Sequence, residues 1–275
     1  MQNYKFCLRP GFILLLVTII YYSTFVWLSE RFLEPDSYYS HGFLVPLVTA
    51  FLIWQKRKKL TTISFEPSAS GFILLVSGLI LQLAGVVLEV YLVSLSSLLM
   101  IIFGITFYLF GRKVGKEVLP PLVFLIFMVP VPMFIINYIS FPMRQFVTGA
   151  VVFTLDKLGL PVMQRGFEII FPNALLSVDT PCGGLKSLIT FLALGFLFAY
   201  FLSGARKNKI ALFLTAIPVA FVSNYLRVIL LSLVAFIYGA KIAINGFVHD
   251  FSGIMVFAAG FVLLTLVRNI LNERI

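Results

Sequence analysis

Long apolar runs recur along this chain, separated by short polar loops, and most approach the ~20 residues that a helix needs to cross a bilayer. They lie near Gly11 to Leu28, Gly42 to Trp54, Gly71 to Leu88, Tyr91 to Phe110, Val118 to Tyr138, Gly183 to Leu202, Ile210 to Phe236 and Phe251 to Val267. None alternates apolar and polar residues with period two, which excludes a closed β-barrel and predicts about eight transmembrane helices. The second run is short unless Tyr38 to His41 joins it. The first is expected to be an uncleaved anchor, because it is long for a signal peptide and no small-residue cleavage site follows it.

The pattern changes between Ser140 and Thr180. Arg144, Asp156 and Lys157 leave only Gln145 to Leu155 uncharged, too short to cross as a helix. Met143, Phe146, Val147, Ala150, Val151 and Leu158 follow a helical spacing, which predicts an amphipathic helix lying in the membrane interface. Val162 to Val178 carries Gly166, Pro172 and β-branched residues, which predicts a short extended segment or hairpin on the outer surface. Neither a repeat nor a linker divides the chain. The expected fold is an all-α polytopic membrane protein, a single domain over residues 1–275.

Composition agrees: 60% apolar and 12% charged residues exclude a soluble domain. The net charge of +10 is spread over short loops that flank the runs, without an aromatic platform between the basic residues. This pattern points to topology and contact with anionic membrane lipid, not to nucleic acid. Of the 21 basic residues, fourteen fall on one side, including Lys56 to Lys59, Arg112, Lys113, Lys116 and Arg206 to Lys209, and seven on the other. By the positive-inside rule both termini are cytoplasmic.

On that topology the outer side gathers the reactive side chains. Cys182 stands in DTPCGGLKS, where Asp179 or Thr180 caps a helix, Pro181 suits its first position and Cys182 falls in its first turn, whose open amides favour a thiolate. Lys186 adds a cation on the same face, and Gly183 and Gly184 leave room for a substrate backbone. Arg227 lies inside an apolar run, where an arginine costs at least about 2.5 kcal/mol at mid-span, so a functional role is the default expectation. Asn224 lies one turn before it and can hold the guanidinium or donate beside it. His249 in VHDFSG and His41 in SYYSHG are the two histidines, and either can serve as a base near neutrality. Each also has an ordinary reading: a cysteine in a helix interface, a snorkelling arginine, a solvated histidine. Cys7 falls on the cytoplasmic side and is expected to have no role. No cluster of histidines and carboxylates has metal-ligand spacing, so neither a metal nor another cofactor is expected.

Taken in order, these residues resemble the exosortases, multi-pass bacterial enzymes related to the archaeosortases. DSYYSHGFLVPLVTAFLIWQKRKKL (Asp36 to Leu60), Cys182-Gly183-Gly184-Leu185, Asn224-Tyr225-Leu226-Arg227 and His249-Asp250-Phe251-Ser252-Gly253 carry the likeness. The resemblance implies a sortase-like transpeptidase of the cytoplasmic (inner) membrane, with its active site on the outer side. Its partners would be exported proteins with a C-terminal sorting signal of the PEP-CTERM kind, and the acceptor is left open. Carried over, Cys182 is the nucleophile, His249 the general acid/base, Arg227 the oxyanion stabiliser, and His41 a supporting residue. The rival readings are a transporter, which would ordinarily show intramembrane acids or repeat symmetry, and a non-catalytic component of polysaccharide assembly. The topology has a direct check: a cysteine placed at Asn173 should react with a membrane-impermeant thiol reagent from outside the cell only, and labelling from the cytoplasm would overturn it.

Overall fold

The computed structural model describes residues 3–34, 37–178 and 183–273, and these form helices and one small sheet. Contacts group them into two compact units, Met1–Pro130 and Val131–Ile275.

The first unit contains α1 (Asn3–Ile20), α2 (Tyr22–Leu33), a 3₁₀ turn at Ser40–Phe43, α3 (Leu44–Gln55), the single turn α4 (Arg57–Leu60), α5 (Ala69–Val87) and α6 (Tyr91–Phe124). The expected first span is not straight: the segments Gly11–Ile20 and Tyr22–Leu33 meet at 73°. A bend frees backbone carbonyls, and here the Gln82 side chain of α5 donates to Ile20 O at 3.2 Å. The other end of that amide accepts from Ser94, Thr24 meets Ser94 Oγ at 2.6 Å, and the Tyr21 hydroxyl meets Ser97 Oγ at 2.7 Å. In apolar surroundings each of these groups must find a partner inside the protein.

α5 and α6 pack most intimately through Gly71, Gly78 and Gly85, spaced by seven residues along one face of α5. A Cβ at Gly71 would stand 2.1 Å from the Tyr108 backbone nitrogen, and one at Gly85 2.7 Å from that of Ser94. Small residues at a membrane helix interface allow backbones to approach this closely.

The second unit contains α7 (Met133–Lys157), β1 (Met163–Arg165), β2 (Glu168–Ile170), β3 (Leu175–Ser177), α8 (Leu185–Phe201), α9 (Arg206–Tyr238), the single turn α10 (Ala240–Ala243) and α11 (Gly246–Glu273). The strands pair antiparallel in the order β1-β2-β3, with Met163 opposite Ile170 and Ile169 opposite Leu176. The extended segment expected over Val162 to Val178 thus forms, with one strand more than a hairpin. Val147, Val151 and Leu155 of α7, Ile169 and Leu176 of the sheet, and Val228, Leu231 and Ala235 of α9 make one apolar cluster. A second joins Phe191 of α8, Ala216, Val219 and Ala220 of α9, and Leu264 of α11.

Among the described residues four helices are long and apolar enough to cross a membrane, Ala69–Val87, Tyr91–Met128, Arg206–Tyr238 and Gly246–Asn272, and the bent pair at the N-terminal end adds a fifth if it is one span. Ser40–Gln55 and Leu185–Phe201 are apolar but shorter. Apart from the small sheet the architecture is that of an all-α membrane protein, and among the described residues four to five candidate spans stand against the eight expected. The run Val118 to Tyr138 is not one helix: α6 and its 3₁₀ extension end at Met128, and α7 begins at Met133. Pro130 and Pro132 explain the break, since proline lacks an N–H and drives the preceding residue to extended backbone, as at Val129 with ψ 117°. The helix expected over Met143 to Leu158 is consequently the C-terminal part of the 25-residue α7, continuous through Pro142. Met143, Val147 and Val151 are buried as its spacing implies, whereas Phe146 and Leu158 are exposed.

Gln82→Leu should lower thermal stability in detergent by about 1 to 3 kcal/mol, because it removes the donor to the Ile20 carbonyl and the acceptor that the Ser94 and Ser97 hydroxyls share. An unchanged unfolding midpoint would show that the bend does not need that amide.

Candidate functional site

α9 carries two of the expected site residues at the place where the apolar clusters give way to each other. Its residues Ala216 to Ala220 belong to one cluster and Val228 to Ala235 to the other, and Asn224 and Arg227 lie between them. The helix is continuous from Arg206 to Tyr238, so the two side chains are one turn apart on one face. Asn224 is 1% exposed and Arg227 9%. Across the short gap to α7, Tyr225 meets Thr154 Oγ1 at 2.6 Å, which fixes the rotation of this turn of α9.

Burying a guanidinium demands hydrogen bonds to it. Arg227 Nε donates to Ser252 Oγ of α11 at 3.1 Å. Ser252 is itself 1% exposed. The next residue, Gly253, lies under the guanidinium: a Cβ there would be 3.7 Å from Nη2 and 3.9 Å from Cζ. α11 therefore meets the arginine with a hydroxyl and a bare backbone in succession, three and four residues beyond His249. His249 is the fourth residue of α11, and its side chain lies outside the described residues.

Asn224 faces α8. Its Nδ2 is 2.9 Å from where a Cβ of Gly184 would stand, so the space expected beside Gly184 for a substrate is filled by this amide. Gly184 has φ 90° and ψ −9°, a left-handed conformation in which any other residue is strained, and α8 starts immediately after it, at Leu185. This corrects the expected helix start: the first turn is Leu185 to Leu188, and Cys182 precedes the helix. Asp179 to Cys182, which include the expected nucleophile and both expected caps, lie outside the described residues. Lys186 is the second residue of α8 and is partly buried.

Of the expected residues, the structure brings Gly184, Asn224 and Arg227 together. His41 is part of the first unit, in the turn Ser40–Phe43 with its ring 6.4 Å from that of Tyr39. Among the described residues, no three of His, Cys, Asp and Glu stand close enough to share a metal ion. Sequence reasoning overlooked Ser252. Its signal was present, since a residue three positions after His249 shares its helical face.

Gly184→Ala should cost about 1 to 3 kcal/mol through strain at a positive φ, with the methyl pressed against Asn224. A thermal unfolding midpoint equal to that of the parent protein would contradict the left-handed start of α8.

Comparison with known proteins gives one family: the model described as transmembrane exosortase matches residues 27–266. No curated protein and no solved structure matches the chain.

Proposed function

The chain belongs to the transmembrane exosortase family, and we propose that it is a membrane-embedded cysteine transpeptidase that cleaves C-terminal sorting signals of exported proteins at the outer face of the cytoplasmic membrane. The observation that carries this reading is the buried guanidinium of Arg227, joined to α11 one turn beyond His249, while its neighbour Asn224 abuts Gly184, two residues after Cys182. The flanks of all three sequence motifs thus meet in one unit of the molecule.

In this mechanism the Cys182 thiolate attacks the carbonyl carbon of the scissile peptide, forming a C–S bond and placing a negative charge on the carbonyl oxygen. Arg227 stabilises that oxyanion, a contribution of the kind whose loss costs about 100- to 1000-fold in rate. His249 delivers a proton to the departing amine as the C–N bond breaks, which leaves a thioester on Cys182 and the signal peptide free. His249 then takes a proton from water or from an acceptor amine as it attacks the thioester, and the mature protein leaves with the thiolate and the protonated histidine restored. The low dielectric of an apolar helix bundle strengthens the attraction between guanidinium and oxyanion.

The test is to co-express a tagged substrate ending in a short motif, an apolar helix and a basic tail with Cys182→Ala, Arg227→Ala and His249→Ala variants. Each should reduce conversion to the shorter product by at least about 100-fold, and the parent enzyme should form a hydroxylamine-sensitive adduct. Unchanged processing by the Cys182 variant would eliminate covalent catalysis and leave the non-catalytic role.

A further inference from the structure

We infer that Ser252 is a positioning residue for this reaction: its hydroxyl sets the plane of the Arg227 guanidinium so that the terminal nitrogens are aimed at the reacting carbonyl. The inference rests on the reading of Arg227 as the oxyanion stabiliser. It is carried by the 3.1 Å bond from Arg227 Nε to Ser252 Oγ, by the near-complete burial of both residues, and by the position of Ser252 on α11.

A guanidinium is planar, and a bond at Nε, next to the rotatable stem, fixes the direction of the two Nη groups beyond it. Loss of that bond removes the constraint closest to the stem, so the direction of the Nη groups is less closely defined. A misplacement of 1 Å is enough to lose much of that stabilisation. Gly253 completes the seat, since the guanidinium lies over its Cα with no side chain intervening.

The location of the hydroxyl matters as much as its distance. Ser252 Oγ accepts from a side chain of another helix, 25 residues earlier in the chain. It also stands three residues after His249, about 4.5 Å along the helix axis and on the same face. One turn of α11 therefore presents the imidazole-bearing position and the arginine seat together, and a shift of α11 moves both.

The chain has two cysteines, so replacing Cys7 by Ser leaves Cys182 as a single reporter thiol. The rate of its alkylation by iodoacetamide in native membranes at pH 7 reports, without a substrate, on the cation that the proposed mechanism sets beside it. In this background Arg227→Gln should slow alkylation about tenfold, as expected when a neighbouring cation no longer favours the thiolate. Ser252→Ala should slow it about threefold by removing the charge-assisted bond that holds the guanidinium, Ser252→Thr should restore the rate, and Ser252→Ala should add nothing once Arg227 is Gln. Loss of folding would expose the thiol and raise the rate, so slowing is not explained by unfolding. If Ser252→Ala leaves the rate unchanged, or slows it equally in the Arg227→Gln protein, the positioning role is overturned while the reading of Arg227 stands. If Arg227→Gln itself has no effect, the guanidinium does not act at the thiol and the inference is overturned, while the oxyanion reading stands or falls on the processing of the tagged substrate.

Discussion

A positive charge buried in an apolar helix has to be satisfied by groups brought from elsewhere in the chain, and the second unit of this protein is organised around that requirement at Arg227. Several kcal/mol of desolvation per ion separate a buried guanidinium from one in water. The hydroxyl of Ser252 meets it from α11, and this ties the arginine motif to the histidine motif across 25 residues of sequence. A purely apolar contact between α9 and α11 could slide with little cost. A charge-assisted bond between buried partners has one register, which makes the site geometry unique where apolar packing alone would leave several near-equal arrangements.

The apolar clusters complement this. One holds α9 against α7 and the sheet, the other holds it against α8 and α11, and the polar pair Asn224 and Arg227 sits at the seam. At that seam the bond between Tyr225 and Thr154 sets the rotation of α9, and the contact between Asn224 and Gly184 sets where α8 starts. The same logic governs the first unit, where the bend between α1 and α2 is stabilised by the Gln82 amide and its hydroxyl partners. In both units a departure from simple helix geometry is accompanied by buried polar side chains that answer it.

The sequence was most legible where one-dimensional pattern and bilayer physics coincide. Runs of apolar residues placed α5, α8 and α9 within a few residues of their observed bounds, and turn residues with β-branched neighbours marked the sheet. It was least legible at proline: Pro130 and Pro132 end a helix between apolar stretches that read as one span, while Pro142 and Pro218 sit inside continuous helices. Hydropathy does not distinguish these cases, because the outcome depends on whether neighbouring elements satisfy the carbonyls that a proline frees. Within the site, Arg227 and Asn224 were conspicuous as polar residues in an apolar run. Ser252 was not, because a serine in a membrane helix ordinarily satisfies itself on its own backbone and carries no visible cost.

Residue order and composition thus decided the class of molecule, the helical spacing that unites Asn224 with Arg227 and His249 with Ser252, and the family to which the chain belongs, since each of these follows from local periodicity or linear motif. Tertiary packing decided which faces meet: that α11 offers Arg227 a hydroxyl followed by a bare glycine, and that the amide of Asn224 fills the space beside Gly184, just ahead of α8. Those facts depend on the rotation and offset of α9 against its neighbours, which side-chain interlock sets and linear spacing does not contain.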